Sequence, residues 1–206
     1  MSLLYEKIMG AAWVYDVLRP ALLGGFDFSS VYRRLECSPT DVIVDVGCGT
    51  GHAMQYLKRF QAYHGFDSDE RALRAFQRKH AAANISLYGR IMEPRDTLQL
   101  RPTKAVLMGL LHHISDAEVR DLLQTLGGPG TVQRVITLDP VYVRGRWASN
   151  LLARMDRGGH VRDVAGYRAI IEGAPFKVCD CELLTSGNGL ATYLTTCMSA
   201  ATADCI

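Results

Sequence analysis

The sequence predicts an α/β fold built on an open, doubly wound and mostly parallel sheet of seven strands, and three observations carry that prediction. A β-branched apolar run, Val42 to Val44, passes through Asp45 and Val46 into glycines at 47, 49 and 51, which reads as strand, tight turn and helix. Further short apolar runs ending at Phe66, Tyr88, Gly109 and Leu138 alternate with helix-compatible segments, the order that builds a parallel sheet with helices on both faces. The chain then closes on two strand-like runs, Val178 to Leu184 and Leu190 to Met198, joined by Gly187-Asn188-Gly189, which reads as an antiparallel hairpin.

At 206 residues and 48% hydrophobic content, the chain is long enough for one well-buried domain and too short for two, so residues 1–206 are read as a single domain. No repeat or low-complexity segment interrupts it. A net charge of +2 gives no electrostatic case for nucleic acid or an anionic membrane as partner, which leaves a small-molecule substrate, with the protein a monomer or homodimer. Glu6, Lys7, Asp16 and Arg19 break the apolar N-terminus before a signal-peptide core or a membrane span forms, and this implies a cytoplasmic protein. Cysteines 37, 48, 179, 181, 197 and 205 lack paired C-x-x-C spacing and zinc-finger histidines, so reduced thiols and no metal site are expected.

Taken in order, Leu4, Ile8, Ala11, Ala12, Tyr15 and Leu18 fall at helical spacing before Pro20 and Gly24-Gly25, and a second short helix runs from Val31 to Leu35. Residues 1–36 precede the first core strand, so they pack as a helical cap over the sheet rather than inside it. After the glycine turn come a helix over Ala53 to Phe60, a strand over Ala62 to Phe66, and a helix over Glu70 to His80 capped by Ser68, with Asp69 and Glu70 at its dipole. Strands follow at Asn84 to Tyr88 and Lys104 to Gly109. Ser115-x-x-Glu118 forms a capping box for a helix that ends at Gly127-Gly128. Arg134 to Leu138 gives the fifth strand, leading into Asp139-Pro140-Val141-Tyr142. Residues 143–174 then read as a helical insert between strands five and six, with Trp147, Leu151, Leu152 and Met155 at helical spacing and a helix around Tyr167 to Glu172.

Three glycines in five residues imply positive φ and a ligand close to the backbone, and the helix expected next would offer unpaired N–H groups to an anionic part of that ligand. The dinucleotide fingerprint G-x-G-x-x-G is not met, because His52 follows Gly51 and the third glycine falls one residue early. The string D-x-G-C-G-T-G instead resembles the first motif of class I S-adenosylmethionine-dependent methyltransferases, matched at Asp45, Gly47, Cys48, Gly49, Thr50 and Gly51. L-H-H at Leu111, His112 and His113 is similar to the segment that follows strand four in many of these enzymes. The resemblance covers Val42 to Pro140 by motif and the remainder by layout.

It implies a Rossmann-like sheet, S-adenosylmethionine as cofactor and S-adenosylhomocysteine as product. Asp67 stands at the end of strand two, where a carboxylate of such folds accepts hydrogen bonds from the ribose hydroxyls, with Ser68 beside it. Arg90 and Ile91 fall at the adenine loop, and Met108 and Gly109 fall beside the methyl group. Two positions depart from the family pattern: Gly89-Arg90 stands where an Asp commonly follows the glycine, and Lys104 opens strand four in place of an aromatic residue and Asp.

Methyl transfer asks the protein mainly to align nucleophile and methyl group, which accounts for roughly 7–11 kcal/mol of barrier. A general base adds about 10²- to 10⁴-fold where the nucleophile loses a proton, and His113, His112 and His160 are the candidates. The insert, together with the N-terminal cap, is expected to form a lid over the carboxyl ends of strands four and five, with Tyr5, Tyr15, Tyr142, His160 and Tyr167 as substrate contacts. Arg144, Arg146, Arg154, Arg157 and Arg162 make the insert basic, as a solvated surface or as a site for an anionic substrate group. The chain lacks the Asn- or Asp-Pro-Pro-Tyr of the exocyclic-amine enzymes and the Pro-Cys of the cytosine-C5 enzymes, which leaves a small-molecule acceptor. The alternatives are a protein that binds S-adenosylmethionine or S-adenosylhomocysteine without turnover, and a nucleotide-dependent oxidoreductase.

Overall fold

Side-chain alternation along the strands divides the core into two layers, one on each face of a single sheet. Ile43, Val106, Ile136 and Leu138 point to one face and meet Val31, Tyr32, Leu73 and Phe76. Val44, Val46, Ala105, Leu107 and Val135 point to the other and meet Val119, Leu123, Leu126, Ile170 and Ile171. With both faces covered, most buried positions of the central strands are apolar, Asp45, Thr137 and Asp139 being exceptions, and the strands read as near-continuous hydrophobic runs.

The computed structural model describes residues 26–156 and 158–201. The first helix of the N-terminal cap, with Tyr5, Trp13 and Tyr15, lies outside the described residues, as does Arg157. In chain order the elements are α1 (Phe28–Arg33), β1 (Val42–Val46), β2 (Ala62–Phe66), α2 (Glu70–His80), β3 (Ile85–Tyr88), α3 (Pro94–Leu100), β4 (Lys104–Met108), α4 (Asp116–Gly127), β5 (Arg134–Tyr142), α5 (Trp147–Met155), β6 (Arg162–Asp163), α6 (Val164–Ile171), β7 (Phe176–Thr185) and β8 (Thr192–Ala200). The strand order is β3-β2-β1-β4-β5-β8-β7. β1 pairs in parallel with β2 on one side and β4 on the other, and β8 runs antiparallel between β5 and β7. The expected seven-stranded sheet with its C-terminal hairpin is present. To it the insert adds β6, a two-residue strand on the end of β5 at Val141 and Tyr142.

Local chemistry explains most boundaries. Asp27 caps α1 by accepting from the amides of Ser29 and Ser30. Ser115 and Glu118 close the expected capping box at α4. At α2 the cap is Asp69, whose Oδ1 accepts from the amides of Arg71 and Ala72, a correction to the assignment of Ser68. α3 was not expected. Pro94 opens it, and Asp96 reaches back to the amide of Glu93.

Two expectations are overturned. The helix over Ala53 to Phe60 is reduced to a 3-10 turn at His52–Gln55, despite good helix formers. There Tyr56 stacks on Tyr32 at 4.8 Å and His52 meets Phe28 edge-on at 4.6 Å, so packing against α1 overrides propensity. In α5 the helical spacing of Trp147, Leu151 and Met155 holds, but these residues are exposed while Ser149 and Ala153 face inward. Cys37, Cys48, Cys181 and Cys197 are free thiols, whereas Cys179 is disulfide-bonded, against the expectation of reduced cysteines throughout. Among the described residues, no helix is long and apolar enough to cross a membrane.

Candidate active site

The order β3-β2-β1-β4-β5 reverses direction between β1 and β4, and ligands of open α/β sheets bind in the crevice that opens there, at the carboxyl ends of the strands. The turn after β1 forms one wall. Gly47, Gly49 and Gly51 all have positive φ, at 78°, 53° and 84°, so the turn takes a path that L side chains resist. A Cβ on Gly51 would stand 2.9 Å from the Phe76 ring, whereas one on Gly49 would meet nothing within 4 Å. Gly51 is therefore required by packing, and Gly49 presents bare backbone to open space.

Asp67 ties this turn to the end of β2. Its Oδ2 accepts from the amide of Gly49 at 2.8 Å and its Oδ1 accepts from the amide of Asp69 at 2.8 Å. Each carboxylate oxygen retains capacity for a further donor, which fits a ribose diol against the glycine turn. Deeper in, Asp45 is fully buried and accepts from the Tyr63 hydroxyl at 2.5 Å. Burial pushes its carboxyl up to about 7, against the lowering effect of the Tyr63 hydroxyl, and the nearby Asp67 charge adds to the rise. The expected anion site at a helix N-terminus is not formed, because the amides of Gly47 and Cys48 donate to Phe66, Gly49 to Asp67 and Gly51 to Cys48, and no helix follows.

The other wall is the segment after β4. Gly109 has φ of 66° and donates its amide to Leu138, and Leu110 Cδ1 comes within 3.4 Å of where a Cβ on Gly47 would stand. The turns after β1 and β4 thus touch, and Met108 and Gly109 are half-buried beside that contact. Thr50, Ser68 and Ile91 are exposed. Cys48 contributes backbone only. Its thiol is buried with Sγ 2.8 Å from where a Cβ on Gly65 would lie, and burial raises its pKa.

Arg90, at the expected adenine loop, is engaged within the protein. Its guanidinium makes two 2.6 Å hydrogen bonds to Asp96 and lies over the rings of Phe66 and Tyr88 at 5.3 and 5.5 Å. Asp96 comes from the unforeseen helix α3, so no sequence pattern announced this pair.

Beyond Gly109 a 3-10 turn, Leu111–His113, carries the two histidines. His112 is buried between two carboxylates, with Nδ1 donating to Asp139 Oδ1 at 2.8 Å and Nε2 lying 3.3 Å from Asp156 Oδ1. Burial acts to lower its pKa, but the hydrogen bonds to Asp139 and Asp156 prevail and push it up to about 9. His112 is thus held as an imidazolium near neutral pH, and this corrects its assignment as a general base. His113 is exposed, its ring centroid 4.0 Å from that of His112. The remaining Asp139 oxygen, Oδ2, is buried without a hydrogen-bond partner among the described residues.

The insert is fastened to this segment by a residue whose role the sequence concealed. Arg162 donates to the carbonyls of Leu111, Ile114 and His160 at 2.7–2.9 Å and pairs with Asp116 at 2.7 Å. Its basic charge is spent on the protein itself, while Arg144, Arg146 and Arg154 are exposed. His160 is exposed and bonds His112 through its backbone amide at 3.0 Å. Tyr167, expected at the substrate, is instead buried: its hydroxyl donates to Pro140 at 3.0 Å and burial raises its pKa. Tyr142 is half-buried at the end of β5, in register with Asp163.

Comparison with known proteins agrees with this geometry. Residues 43–127 match the model of a methyltransferase domain family. No curated protein matches the chain. Among solved structures it is similar to a chain from the complex of the Haloferax volcanii Trm112 methyltransferase activator, with TM-score 0.64, 13% identity, and 83% of this chain and 87% of that one covered. It is similar to the N-methyltransferase NodS from Bradyrhizobium japonicum WM9, with TM-score 0.61, 14% identity, and 84% and 93% covered. Human N-acetylserotonin methyltransferase in complex with S-adenosylmethionine gives TM-score 0.60 and 19% identity over 84% of this chain and 51% of that one. The glycine turn facing β4, the carboxylate at the end of β2 and the sheet order accompany the match of residues 43–127 to a methyltransferase domain, and together they support S-adenosylmethionine as the cofactor.

Proposed function

We propose that the protein methylates a small-molecule acceptor held between the segment after β4 and the insert of residues 143–174, which acts with the N-terminal cap as a lid. S-adenosylmethionine, when bound, supplies an electrophilic methyl group on a sulfonium. Asp67 and the glycine turn hold the adenosyl side, while Met108, Gly109, His113 and Tyr142 line the acceptor side. The observation that carries this reading is Arg162, which fastens the insert across the residues that follow β4 through three carbonyls and Asp116. A segment held there narrows the approach to Gly109 and favours a small acceptor over a polymer lying across the sheet edge. The near-neutral charge gives no electrostatic case for a nucleic-acid or membrane partner.

The test is incubation with methyl-labelled S-adenosylmethionine and a metabolite extract, followed by mass analysis of the products. Label should enter a small molecule, and His113→Ala should lower turnover while S-adenosylmethionine affinity stays within a few-fold. Label found only in RNA or protein would overturn the acceptor class. Cofactor binding with no label transferred under any condition would favour a binding protein without turnover.

A further inference from the structure

We propose that His112, His113 and Asp156 form a binding site for one divalent transition-metal cation beside the acceptor crevice. The ligand atoms of these three side chains lie within 4.8 Å of one another. Two imidazoles and one carboxylate form a donor set suited to zinc, iron, manganese or cobalt rather than to magnesium or calcium, which take oxygen ligands. Sequence spacing gave no hint of it, because Asp156 enters from the insert, far along the chain from the Leu111–His113 turn.

The arrangement is held from outside, as metal sites are. His112 donates Nδ1–H to Asp139, which fixes the ring and turns Nε2 toward Asp156 at 3.3 Å. A carboxylate behind a ligating imidazole is the usual support for a metal-bound histidine. Asp156 Oδ1 is itself held by the amide of Gly158 at 3.2 Å. A Cβ on Gly158 would stand 2.1 Å from His112 Cδ2 and 2.4 Å from its carbonyl oxygen, so the insert is pressed directly onto this residue. Arg162 grips the carbonyls of Leu111 and Ile114, on either side of the two histidines. Each donor is thereby positioned by its surroundings, and the exposed side of the cluster is the His113 side.

Binding would exchange a proton for a cation: the metal takes the place of the proton between Nε2 and Asp156, and that proton leaves to solvent. The positions left open by three protein ligands fit an oxygen of the acceptor. Resting on the proposed acceptor reading, this names the substrate class as a hydroxyl compound, whose O–H proton is released while an O–CH₃ bond forms and the C–S bond breaks.

The experiment uses the untagged full-length chain, stripped with chelator and titrated with Co²⁺ by equilibrium dialysis and visible absorption. One equivalent should bind, with intense visible bands of low coordination number, and Zn²⁺ should displace it. His113→Ala, at an exposed position, and Asp156→Asn, with folding checked by circular dichroism, should each weaken binding by at least the roughly 10- to 100-fold that loss of even a supporting partner costs. Asp121→Asn on the exposed side of α4 should change nothing. No stoichiometric uptake, or uptake unaltered by His113→Ala, would overturn the site. S-adenosylhomocysteine binding and small-molecule methylation are measured on the same preparation. Methylation by protein that takes up no Co²⁺ rejects the metal and leaves methyl transfer standing. Co²⁺ uptake without small-molecule methylation rejects the acceptor reading and leaves the metal.

Discussion

At the scale of single residues, two carboxylates of the cofactor crevice have opposite environments and so make different predictions. Asp67 is half-exposed, and its oxygens accept from two amides. Asp67→Ala should weaken S-adenosylmethionine binding by about 1.5–3 kcal/mol, the range for hydrogen bonds to a charged group, as read by calorimetry. Asp69→Ala removes the cap of α2 instead, and should cost about 0.5–2 kcal/mol of stability with a smaller effect on affinity. Asp45 is buried, with a carboxyl pKa raised from 3.8 to about 7. The folded state therefore keeps a proton that the unfolded chain has lost, so this contribution is complete below about pH 4 and disappears as pH rises to about 7. Unfolding free energy measured with urea should fall by about 2–4 kcal/mol across that window, at about 1.4 kcal/mol per pKa unit. Asp45→Asn, which can still accept from Tyr63, should flatten the dependence, and an unchanged slope would show that another group sets it.

At the scale of elements, two connections are set by contacts between distant segments. The loop from β3 to α3 is closed by Arg90 and Asp96, and the Asp96 side chain is 5% exposed. Arg90→Ala leaves that carboxylate without its cation, held only by the amide of Glu93, and should cost about 1–3 kcal/mol in thermal or urea unfolding. Arg90→Asp should be worse, because it sets a second negative charge beside the first. The insert depends on a similar closeness at Gly158. Gly158→Ala must move backbone, since the nearest fixed atom is the His112 carbonyl oxygen at 2.4 Å. It should cost about 1–3 kcal/mol by overpacking and lower turnover more than it lowers cofactor affinity. Equal losses in both would place Gly158 in the cofactor crevice rather than in the insert.

At the scale of the whole molecule, the sheet order brings the turns after β1 and β4 into contact, so a ligand seated there bridges both halves of the fold. Such a ligand stabilises the folded state by mass action. At 100 times its dissociation constant, S-adenosylhomocysteine should add about 2.7 kcal/mol. For a chain of this size that is a rise in Tm of roughly 5–11 °C in scanning calorimetry. NAD at the same concentration should give none, because the glycine spacing of the dinucleotide fingerprint is absent. A shift with NAD and not with S-adenosylhomocysteine would overturn the cofactor assignment.

By itself the sequence determined the seven long strands along the chain, the closing hairpin and the glycine turn after the first of them. Those features rest on local rules: apolar runs closed by glycines, an acid at a strand end, and the capping box at Ser115 and Glu118. It also determined that α5 is a helix, but not which side faces inward, because the apolar period is satisfied equally by a buried face and by the exposed line of Trp147, Leu151 and Met155. Only the tertiary structure decided the rest. His112 could not be told from His113 while the carboxylates Asp139 and Asp156 were distant in the chain, and their approach makes one an imidazolium and leaves the other exposed. Arg90, Arg162 and Tyr167 read as ligand contacts by residue type, yet each is satisfied by a partner remote in sequence or brought close by packing. The physical reason is common to all of them. The charge and hydrogen-bonding capacity of a side chain are properties of the residue, but whether they are spent on the protein or left for a ligand depends on what long-range packing places within 3 Å.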